Sequence, residues 1–508
     1  LDINCALGLS SPRSPSWIMP PKAKARAPLK AADVYCRVRP FAESGGHAET
    51  VKVDQKTLDK WTDTSVTIAT EYMFSKGAAE YTFPKQVFAP EAKQEEVYAA
   101  MMPQLIDGFT ANRDCRPRNV FFMAYGQTGT GKTHTMFGTD ESLTSKSGAV
   151  EDGWGVFPRV ATQVFDTMKA KGNEYFLCGS AVEFYTFAAA DLLNNGAPVL
   201  VESETYMPRG AVVQELRNIE DVLQLIATVR ANRKARSTKM NQAGGGHEGS
   251  SRSHCALILY LTQKDPNSGD LARTHFALID TAGAERPSKT GEKRIGGFDA
   301  LLEVARGNES IGAQGTVINC ELSMIRSSIV GCRDCHAQGR EYKPATTMVT
   351  AMMKFIGGCL TGDCMLAFIV CLSPSGANGW ETWFSLEYGK DMAILAVPPK
   401  DQEWVNAEKH LAQKEKQAAE AMEALAKTPP AGSPSSKYYP HRLANAMYLS
   451  QYVVDLYRLV PEGKGKADAV KRLAELEKGG QKEYFESCMN PFKDWGKTQQ
   501  ATDRKSVV

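Results

Sequence analysis

The sequence has no long hydrophobic run and no marked excess of charge of either sign. No apolar stretch approaches the ~18 residues that a membrane-spanning helix requires, so no membrane span is predicted. The charged and hydrophobic regions of a secretory signal are also missing from the N-terminus. With 60 Lys and Arg against 58 Asp and Glu, the net charge of +2 predicts no general attraction to nucleic acid or other polyanions.

Cysteine is present but sparse. The 12 cysteines in 508 residues do not form a disulfide framework, and most lie in apolar surroundings, which is typical of reduced thiols in a cytosolic protein. The run Cys332-Arg333-Asp334-Cys335-His336 fits the signature for haem attachment, and Cys359 with Cys364 could add a second pair for zinc. Haem attachment needs an oxidising compartment and the zinc spacing is loose, so plain thiols are favoured over a metal site.

The two ends of the chain differ from its centre in composition. Residues 1–30 are rich in Pro, Ser, Lys and Ala and are predicted to be disordered. Within them, Met19-Pro20-Pro21-Lys22 resembles a natural start, which predicts that residues 1–18 precede the protein proper. Beyond the centre, we predict a linker at 428–437, a helical hairpin at 438–495 and a disordered tail at 496–508.

Apolar periodicity predicts alternating strands and helices between these ends. The predicted strands cover residues 33–40, 64–68, 81–87, 120–124, 176–187, 255–263 and 274–279. The predicted helices cover residues 91–109, 156–169, 219–232 and 403–427. The last helix carries a thin seam of small or apolar side chains, so a single surface helix is favoured over a coiled coil; the seam is Trp404, Ala407, Leu411, Lys414, Ala418, Ala421 and Leu425.

The strongest chemical motif follows the strand at Val120–Ala124. Residues 126–133 read GQTGTGKT, which is the G-x-x-x-x-G-K-[ST] phosphate loop. Its glycines let several backbone N–H groups face one anion at the positive end of the next helix. We therefore expect Lys132 to reach the β and γ phosphates and the Thr133 hydroxyl to ligate Mg²⁺. A chance match is disfavoured, because the preceding strand is the context that confirms the motif.

A second motif strengthens the first. The apolar strand at 274–279 ends in Asp280, where a nucleoside triphosphatase places its second carboxylate beside Mg²⁺. Gly283 lies three residues further on and can offer its N–H to a γ-phosphate. The pair of motifs predicts a nucleoside triphosphatase more strongly than either motif alone.

The motifs, taken in chain order, resemble those of a kinesin motor domain over about residues 31–396. The resemblance rests on the following set: Arg37-Val38-Arg39-Pro40, GQTGTGKTHTM from Gly126, SAVEFY from Ser180, Asp191-Leu192-Leu193, Met240-Asn241, SSRSH from Ser250, DTAGAER from Asp280, Ile318-Asn319 with Leu322, Leu372-Ser373-Pro374, Glu381-Thr382 and Leu386-Glu387-Tyr388.

The resemblance implies an α/β P-loop NTPase fold of the kinesin motor type. Its central, mostly parallel β-sheet would have helices on both faces and be followed by a small helical C-terminal region. The implied activity is ATP hydrolysis, with Mg²⁺, coupled to microtubule (tubulin) binding in the cytoplasm and on the cytoskeleton. Residues 394–400 resemble a short neck linker, which together with the next helix makes up segment 397–427. Residues 155–159 and 381–399 also resemble the ninth kinesin family, associated with cilia and flagella.

The same resemblance implies roles for individual residues. Adenine contacts are implied for Arg37, Arg39 and Pro40. Phosphate contacts are implied for Gly126, Gln127, Thr128, Gly129, Thr130, Gly131, Lys132 and Thr133, with His134 just beyond. Ser250 and Ser251 match switch I, where one serine would position the attacking water and the other would contact Mg²⁺ and the γ-phosphate. Asp280 and Gly283 match switch II, and Arg252 would form a salt bridge with Glu285. The implied Mg²⁺ set is Thr133, Ser251 and Asp280.

Several positions depart from the family pattern around the nucleotide. Eight residues, 242–249, separate the switch I Asn from the first Ser, where the family has two, so closing this loop should cost more chain entropy. Three substitutions also stand out, namely Ala284 for Ser, Thr186-Phe187 for Asn-Glu, and Gln314 for Glu.

Another departure concerns the segment that faces microtubules in the family. Ala345, Met348 and Ala351 stand where the pattern has Arg, Lys and Arg, and tubulin's surface is acidic, so attraction should fall. Nearby cations either compensate for the lost charges or are solvated surface charges; they are Arg326, Arg333, Arg340, Lys343 and Lys354.

Two functions follow: an ATP-driven microtubule motor, or a non-motile kinesin-like structural or regulatory protein with weakened microtubule binding. Cargo and oligomeric state are left open.

Overall fold

The structure is a computed structural model, and it describes most of the chain between residues 29 and 478. The described residues are 29–40, 58–68, 79–113, 116–145, 150–185, 188–194, 196–202, 205–242, 252–284, 296–305, 310–344, 350–375, 378–398, 400–429, 439–461 and 465–478. The disorder predicted for residues 1–28 and 496–508, the linker predicted at 430–437, and the substitution at Thr186-Phe187 lie outside this part of the chain.

The strands of the described residues follow from short apolar or alternating runs. In chain order they are β1 (Lys30–Ala31), β2 (Asp33–Val38), β3 (Leu58–Trp61), β4 (Ser65–Ile68), β5 (Ala79–Thr82), β6 (Val87–Phe88), β7 (Asn119–Tyr125), β8 (Tyr175–Tyr185), β9 (Ala188–Asp191), β10 (Ala197–Val201), β11 (Pro208–Arg209), β12 (Gln214–Leu216), β13 (His254–Lys264), β14 (Leu271–Asp280), β15 (Cys364–Leu372) and β16 (Ala396–Val397).

The helices carry apolar residues at three- and four-residue spacing, as the sequence predicts. In chain order they are α1 (Gln94–Met101), α2 (Pro103–Phe109), α3 (Lys132–Phe137), α4 (Asp140–Thr144), α5 (Val156–Lys171), α6 (Ile219–Gln242), α7 (Gly297–Ala305), α8 (Ile311–Ala337), α9 (Ala351–Gly358), α10 (Gly379–Ala393), α11 (Ala407–Ala426), α12 (Tyr439–Leu459) and α13 (Lys466–Lys478). A π-helical turn, Cys359–Asp363, links α9 to β15. None of the helices in the described ranges has the length and apolar character needed to cross a membrane.

One large mixed sheet organises the molecule. Its strands follow the order β11-β10-β9-β8-β13-β14-β7-β15-β2-β6, and β12 pairs with β8. The half that contains β7 is parallel, because β14, β7, β15, β2 and β6 run in one direction. The other half is antiparallel, from the β13–β14 pair outward. The sheet expected to be mostly parallel is therefore parallel around the phosphate loop and antiparallel beyond it.

Helices cover both faces of this sheet, which confirms the predicted layering. On one face, α1, α2, α3, α5 and α6 enclose a core that includes Val120 and Phe122 of β7. On the other face, α8, α9 and α10 pack over Phe121 and Met123 of the same strand. Because β7 is buried along its whole length, it reads in the sequence as one apolar run rather than an alternating one.

Most predicted elements are present with altered ends. The predicted helix at 91–109 is broken at Met102, because Pro103 has no N–H to continue the helical hydrogen bonds and begins α2. The helix predicted at 219–232 runs on to Gln242 as α6. Lys30, expected to be disordered, lies in β1 and pairs with Val397 of β16.

The chain after α10 returns along the body of the sheet before its last helices begin. Leu271 and Val405 exchange two backbone hydrogen bonds of 2.8 Å, so this segment extends the sheet edge at the start of β14. Asp401 forms ion pairs with Arg116 and Arg118, 3.1 and 2.6 Å long, which fix the same segment to the approach to β7.

The C-terminal helices pack on the domain rather than apart from it. A shared core joins α11 and α12 to Phe176 and Cys178 of β8 and to Leu271 of β14. The predicted seam of α11 is used here, since Ala407, Leu411, Ala418, Ala421 and Leu425 are all buried. The seam of α11 therefore packs on α12 and the sheet, which supply its apolar partner, and the opposite face of the helix is exposed.

Candidate nucleotide-binding site

The two phosphate-related motifs lie side by side because β7 and β14 are adjacent and parallel. Asp280, the last residue of β14, is in register with Ala124 of β7, and the phosphate loop begins two residues later. The Thr281 hydroxyl donates a 2.8 Å hydrogen bond to the Ala124 carbonyl, which ties the start of switch II to this strand. Ligands of open α/β sheets bind at such carboxyl ends of strands.

Glycine is required at both ends of the phosphate loop. Gly126 has a φ of 152°, and a Cβ there would lie 2.3 Å from the carbonyl oxygen of Cys371. Gly131, the residue before α3, has a φ of 91°, a left-handed conformation that a side chain disfavours. The loop therefore turns tightly enough to bring the N-terminus of α3 back over the end of β7.

Lys132 is held inside this loop. Its ammonium donates hydrogen bonds to the carbonyl oxygens of Gly126 and Gln127, at 2.8 and 2.7 Å. The Thr130 hydroxyl closes the same turn with a 2.9 Å bond to the Gln127 carbonyl. A buried cation at the positive end of a helix, next to a curled backbone, is an arrangement suited to phosphate.

Thr133 and Asp280 meet at the point where the sequence predicts Mg²⁺. The Thr133 hydroxyl donates a 2.8 Å hydrogen bond to Oδ2 of Asp280, whose side chain is buried. The other carboxylate oxygen, Oδ1, is buried and has no hydrogen-bond partner among the described residues. A hydroxyl and a carboxylate are the hard oxygen ligands that Mg²⁺ prefers, so these residues fit the predicted metal.

Arg233 of α6 completes this cluster, and the sequence analysis did not identify it. Its guanidinium donates to Oδ2 of Asp280 at 2.7 Å and to the Ser253 carbonyl at 2.7 Å. Burial is the largest influence on the pKa of Arg233 and lowers it, but the nearby charges and the hydrogen bond to Asp280 together outweigh burial, so the pKa lies above its ordinary value. Arg233 therefore stays charged and holds the Asp280 side chain in its orientation.

The described part of switch I is anchored to the sheet and to α8. The Ser253 hydroxyl donates a 2.7 Å hydrogen bond to the buried carboxylate of Glu183 in β8. Arg252 donates a 3.1 Å bond to the side-chain oxygen of Gln314 in α8. Gln314, noted only as a departure from the family pattern, thus contacts the arginine that was expected to pair with Glu285.

The predicted adenine side is built around Arg37 and a glutamine that was not predicted. Arg37 donates to Gln94 at 2.9 Å and to the Thr135 hydroxyl at 2.8 Å. Gln94 in turn donates to the His134 carbonyl at 2.6 Å. Burial, with the charge of Arg37, lowers the pKa of His134, which favours a neutral ring. Arg39 contacts the Ser373 hydroxyl at 3.1 Å, and Pro40 is exposed at the end of the strand.

The structure thus brings together only part of the predicted site. Lys132, Thr133 and Asp280 share one pocket edge, with Gly283 three residues beyond. Ser250, Ser251 and Glu285 lie outside the described residues, so their roles and the Arg252–Glu285 pair stay predictions.

A sequence signal for Arg233 did exist. Val222, Ile226 and Val229 form a buried helical stripe, and Arg233 is the charged residue at its next position. A charge on an apolar stripe indicates a buried partner, which here is Asp280. Gln94 and Glu183 gave no comparable signal, since a polar residue at a helix start or in a strand is ordinary.

The cysteine motif lies away from this site. Cys332 of α8 is buried and donates from Sγ to the Leu360 carbonyl at 3.3 Å. Cys364 approaches Nε2 of His275 at 3.6 Å. Among the described residues, no group of three or more His, Cys, Asp or Glu side chains is arranged to hold a metal ion.

A phosphate loop after a buried strand, with a carboxylate on the parallel neighbour, defines a P-loop nucleoside triphosphatase. The kinesin motor domain family model matches residues 37–394, well over half of the chain. The chain therefore belongs to the kinesin motor family, which confirms the resemblance drawn from the motifs.

Individual relatives agree with this assignment. The chain is 32% identical over 373 residues to the kinesin-like protein KIN-14I of Arabidopsis thaliana, covering 72% of this chain and 33% of that protein. It is 29% identical over 366 residues to the human kinesin heavy chain isoform 5A, covering 70% of this chain and 30% of that protein. The chain thus spans about a third of the length of these curated relatives.

Solved structures show the same fold. A fast kinesin superposes with a TM-score of 0.56 at 24% identity, over 73% of this chain and 94% of that chain. A KIF14 dimer with AMP-PNP, in complex with a microtubule, superposes with a TM-score of 0.58 at 21% identity, over 75% of this chain and 98% of that chain. At these identities the likeness establishes the kinesin motor fold, confirming the predicted fold class.

Proposed function

We propose that this protein is a microtubule-based motor that binds ATP with Mg²⁺ and hydrolyses it. The observation that carries the proposal is the contact of Thr133 with Asp280, made directly beside the buried ammonium of Lys132. This constellation places a phosphate-binding cation and two oxygen ligands at one edge of the sheet. The non-motile alternative is less favoured, because family membership and these residues together support turnover.

Each residue has a distinct part in the proposed chemistry. Lys132 would exchange its two carbonyl contacts for phosphate oxygens, since an anion is a stronger partner than a neutral carbonyl. Thr133 and Asp280, with the predicted Ser251, would hold Mg²⁺, which supplies charge stabilisation to the transferring phosphoryl group. Arg233 would keep the Asp280 carboxylate in place. Phosphoryl transfer depends on such positioning and charge stabilisation rather than on covalent steps.

The proposed partner is the microtubule, bound more weakly than by a fully basic motor. Of the three positions with lost cations, Ala351 is the first residue of α9, while Ala345 and Met348 lie outside the described residues. Two nearby cations are already paired within the chain, Arg326 with Asp391 and Arg333 with Asp334. They are therefore less able to compensate. Association with the cytoskeleton follows from this proposal, and a place in cilia or flagella stays a prediction.

The nucleotide part is tested by Lys132→Ala. Without this ammonium the phosphates lose the cation that the loop holds, so ATP turnover should fall to background. The measurement is steady-state ATPase with and without polymerised tubulin, compared for the wild type and for Lys234→Ala, which removes an exposed lysine of α6. Unchanged turnover in Lys132→Ala would contradict the proposal.

The microtubule part is tested by restoring the charges with Ala345→Arg, Met348→Lys and Ala351→Arg together. Exposed ion pairs are each worth about 0.2–1 kcal/mol, so three should tighten binding by roughly 0.6–3 kcal/mol. That range corresponds to about 3-fold to 160-fold in affinity. Co-sedimentation with microtubules across a salt series should show tighter binding and a steeper salt dependence. If the triple variant binds like the wild type, these positions do not face tubulin.

A further inference from the structure

A buried histidine and a buried glutamate face each other behind the nucleotide site. His254 is the first residue of β13 and Glu321 lies on α8, and each is only 1% exposed. Nε2 of His254 lies 3.4 Å from Oε2 of Glu321. Neither atom has a hydrogen-bond partner within the described part of the chain. Two such atoms, close to each other but not aligned for a hydrogen bond, indicate a contact that a small movement would complete.

The other nitrogen of His254 is engaged with switch II. Nδ1 accepts a hydrogen bond of 3.1 Å from the backbone N–H of Ala282, next to Gly283. A ring nitrogen that accepts carries no proton, so the one proton of a neutral imidazole is on Nε2, the nitrogen that lies near Glu321. The ring therefore bridges a carboxylate on α8 and the backbone that was predicted to meet the γ-phosphate.

The other oxygen of Glu321 is engaged with α9. Oε1 accepts a hydrogen bond from the Thr350 hydroxyl. Thr350 is the N-cap of α9, where its Oγ1 also accepts from the Met353 N–H at 3.2 Å. Glu321 thus joins the start of α9 to β13, and through His254 to switch II.

We propose that Glu321 is a positioning residue that acts through His254 on the Ala282–Gly283 backbone. The effect on ATP turnover rests on the proposed function, because it requires that Gly283 meets the γ-phosphate. A small shift of α8 relative to β13 would align the Nε2–H of His254 with Oε2 of Glu321 and complete the hydrogen bond. His254 is then fixed, and with it the direction of the Ala282 N–H.

If Glu321 only supported the start of α9, its contact with Thr350 would be sufficient. Capping of α9 is completed by the Thr350 hydroxyl, which requires no acid behind it. The second oxygen of Glu321, Oε2, lies opposite the one proton of His254, and a side chain with a weaker acceptor would not hold the ring as firmly. The two roles are therefore separable by mutation.

Two substitutions separate them. Glu321→Gln keeps the size but removes the charge, so the hold on Nε2–H weakens. We expect kcat to fall about tenfold, as when a partner that orients a functional group is removed, with the ATP dissociation constant changed by less than about twofold. His254→Asn keeps an acceptor near the Nδ1 position for the Ala282 N–H but is too short to reach Glu321. In that background, Glu321→Gln should have little further effect on kcat.

The double-mutant cycle of these two changes is the decisive measurement. Strong non-additivity in kcat supports the inference, and simple addition overturns it. Thr350→Val is the matched control, since it removes the other partner of Glu321. It should lower the melting temperature while leaving kcat within about twofold and the Glu321–His254 coupling intact. A Thr350→Val effect on kcat equal to that of Glu321→Gln would mean that Glu321 only supports α9.

A second readout keeps this inference separate from the proposed function. Amide hydrogen exchange at Ala282 and Gly283 is measured in nucleotide-free protein, where turnover has no part. Glu321→Gln should speed exchange there, and Thr350→Val should not. If the wild type shows no ATPase, the proposed function fails while the exchange result still decides the inference. If the wild type hydrolyses ATP but Glu321→Gln changes neither kcat nor the amide exchange at Ala282 and Gly283, only the inference fails.

Discussion

Two arginines, at opposite ends of the central sheet, are held in different ways. At the nucleotide end, Arg233 is buried against the carboxylate of Asp280 at 2.7 Å. At the far end, Arg273 of β14 is largely covered and forms no ion pair with a described residue. Its guanidinium carbon lies 4.9, 5.5 and 4.4 Å from the ring centres of Tyr260, Tyr448 and Tyr452.

The difference teaches what each end of the sheet requires. A carboxylate partner is directional and keeps a second charge, Asp280, available for a metal. Aromatic rings hold a cation without adding a charge and at the same time contribute to an apolar core, here the one shared by β8, β14, α11 and α12. The Arg233–Asp280 pair is suited to a reactive site. The contacts of Arg273 with tyrosine rings are suited to attaching helices that are distant in the sequence.

The largest effect is expected from Arg233→Met. This change leaves Asp280 buried without its cation, which should lower the free energy of unfolding by about 3–5 kcal/mol. ATP turnover should be lost as well, because the Asp280 carboxylate would no longer be held in place. Both are read by denaturant unfolding and steady-state ATPase.

Arg230→Met is the matched control for this change. Arg230 lies one turn earlier on α6, and its ion pair is with Asp140, which is 74% exposed. Such a pair is worth about 0–1 kcal/mol, so stability and turnover should barely change. Equal losses in both variants would mean that helix α6, rather than the Arg233–Asp280 pair, is the sensitive element.

A smaller and local effect is expected from Arg273→Met. Methionine keeps much of the apolar stem but loses the cation–π contacts, so the loss should be about 1–2 kcal/mol. It should appear as faster hydrogen exchange and easier proteolysis of α11 and α12, with ATPase within about twofold of wild type. Lys409→Met, on the exposed side of α11, is the control. A loss of turnover in Arg273→Met would show that the two ends are coupled.

The smallest effect is expected on the acid sensitivity of the fold, through His410. Burial, with the charges of Lys414 and Arg273, lowers the pKa of His410 to about 4. Its Nε2 lies 3.1 Å from the hydroxyl of Tyr452. Because an unfolded histidine titrates near 6.5, the unfolded chain binds a proton that the folded chain does not between pH 6.5 and about 4. Stability contributed by neutral His410 should therefore be lost as pH falls through that window.

His410→Gln isolates this contribution. Glutamine can still reach the Tyr452 hydroxyl but does not titrate. The free energy of unfolding of the variant should therefore fall less steeply from pH 7 to pH 5 than that of the wild type. The measurement is denaturant unfolding at both pH values. Parallel slopes would indicate that the acid sensitivity arises from carboxylates elsewhere.

The phosphate-binding half of the molecule was predictable because its signals are local. Gly126 and Gly131 are needed for backbone turns that span a few residues, and Lys132 and Thr133 follow them directly. Buried strands such as β7 read as apolar runs, and β14 ends in Asp280, the carboxylate proposed to hold Mg²⁺. The elements at these positions, and the family, could therefore be inferred before the fold was known.

The contacts of Arg233, Arg273 and Glu321 were not predictable in this way. Asp280, Tyr448 and Thr350, which they contact, lie 47, 175 and 29 residues away along the chain. Local spacing shows at most that Arg233 is buried and does not identify these partners. The packing of the C-terminal helices on the sheet was not predicted, for the same reason. The thin apolar seam of α11 is enough to hold this helix only because α12 and β8 cover it.

The sequence by itself determined the class of chemistry, because phosphate and Mg²⁺ are recognised by short motifs whose backbone geometry is set by neighbouring residues. Only the tertiary structure decided how those motifs are supported. Buried charges need partners, and the partner that satisfies each one is chosen by which distant elements the sheet brings within hydrogen-bond distance.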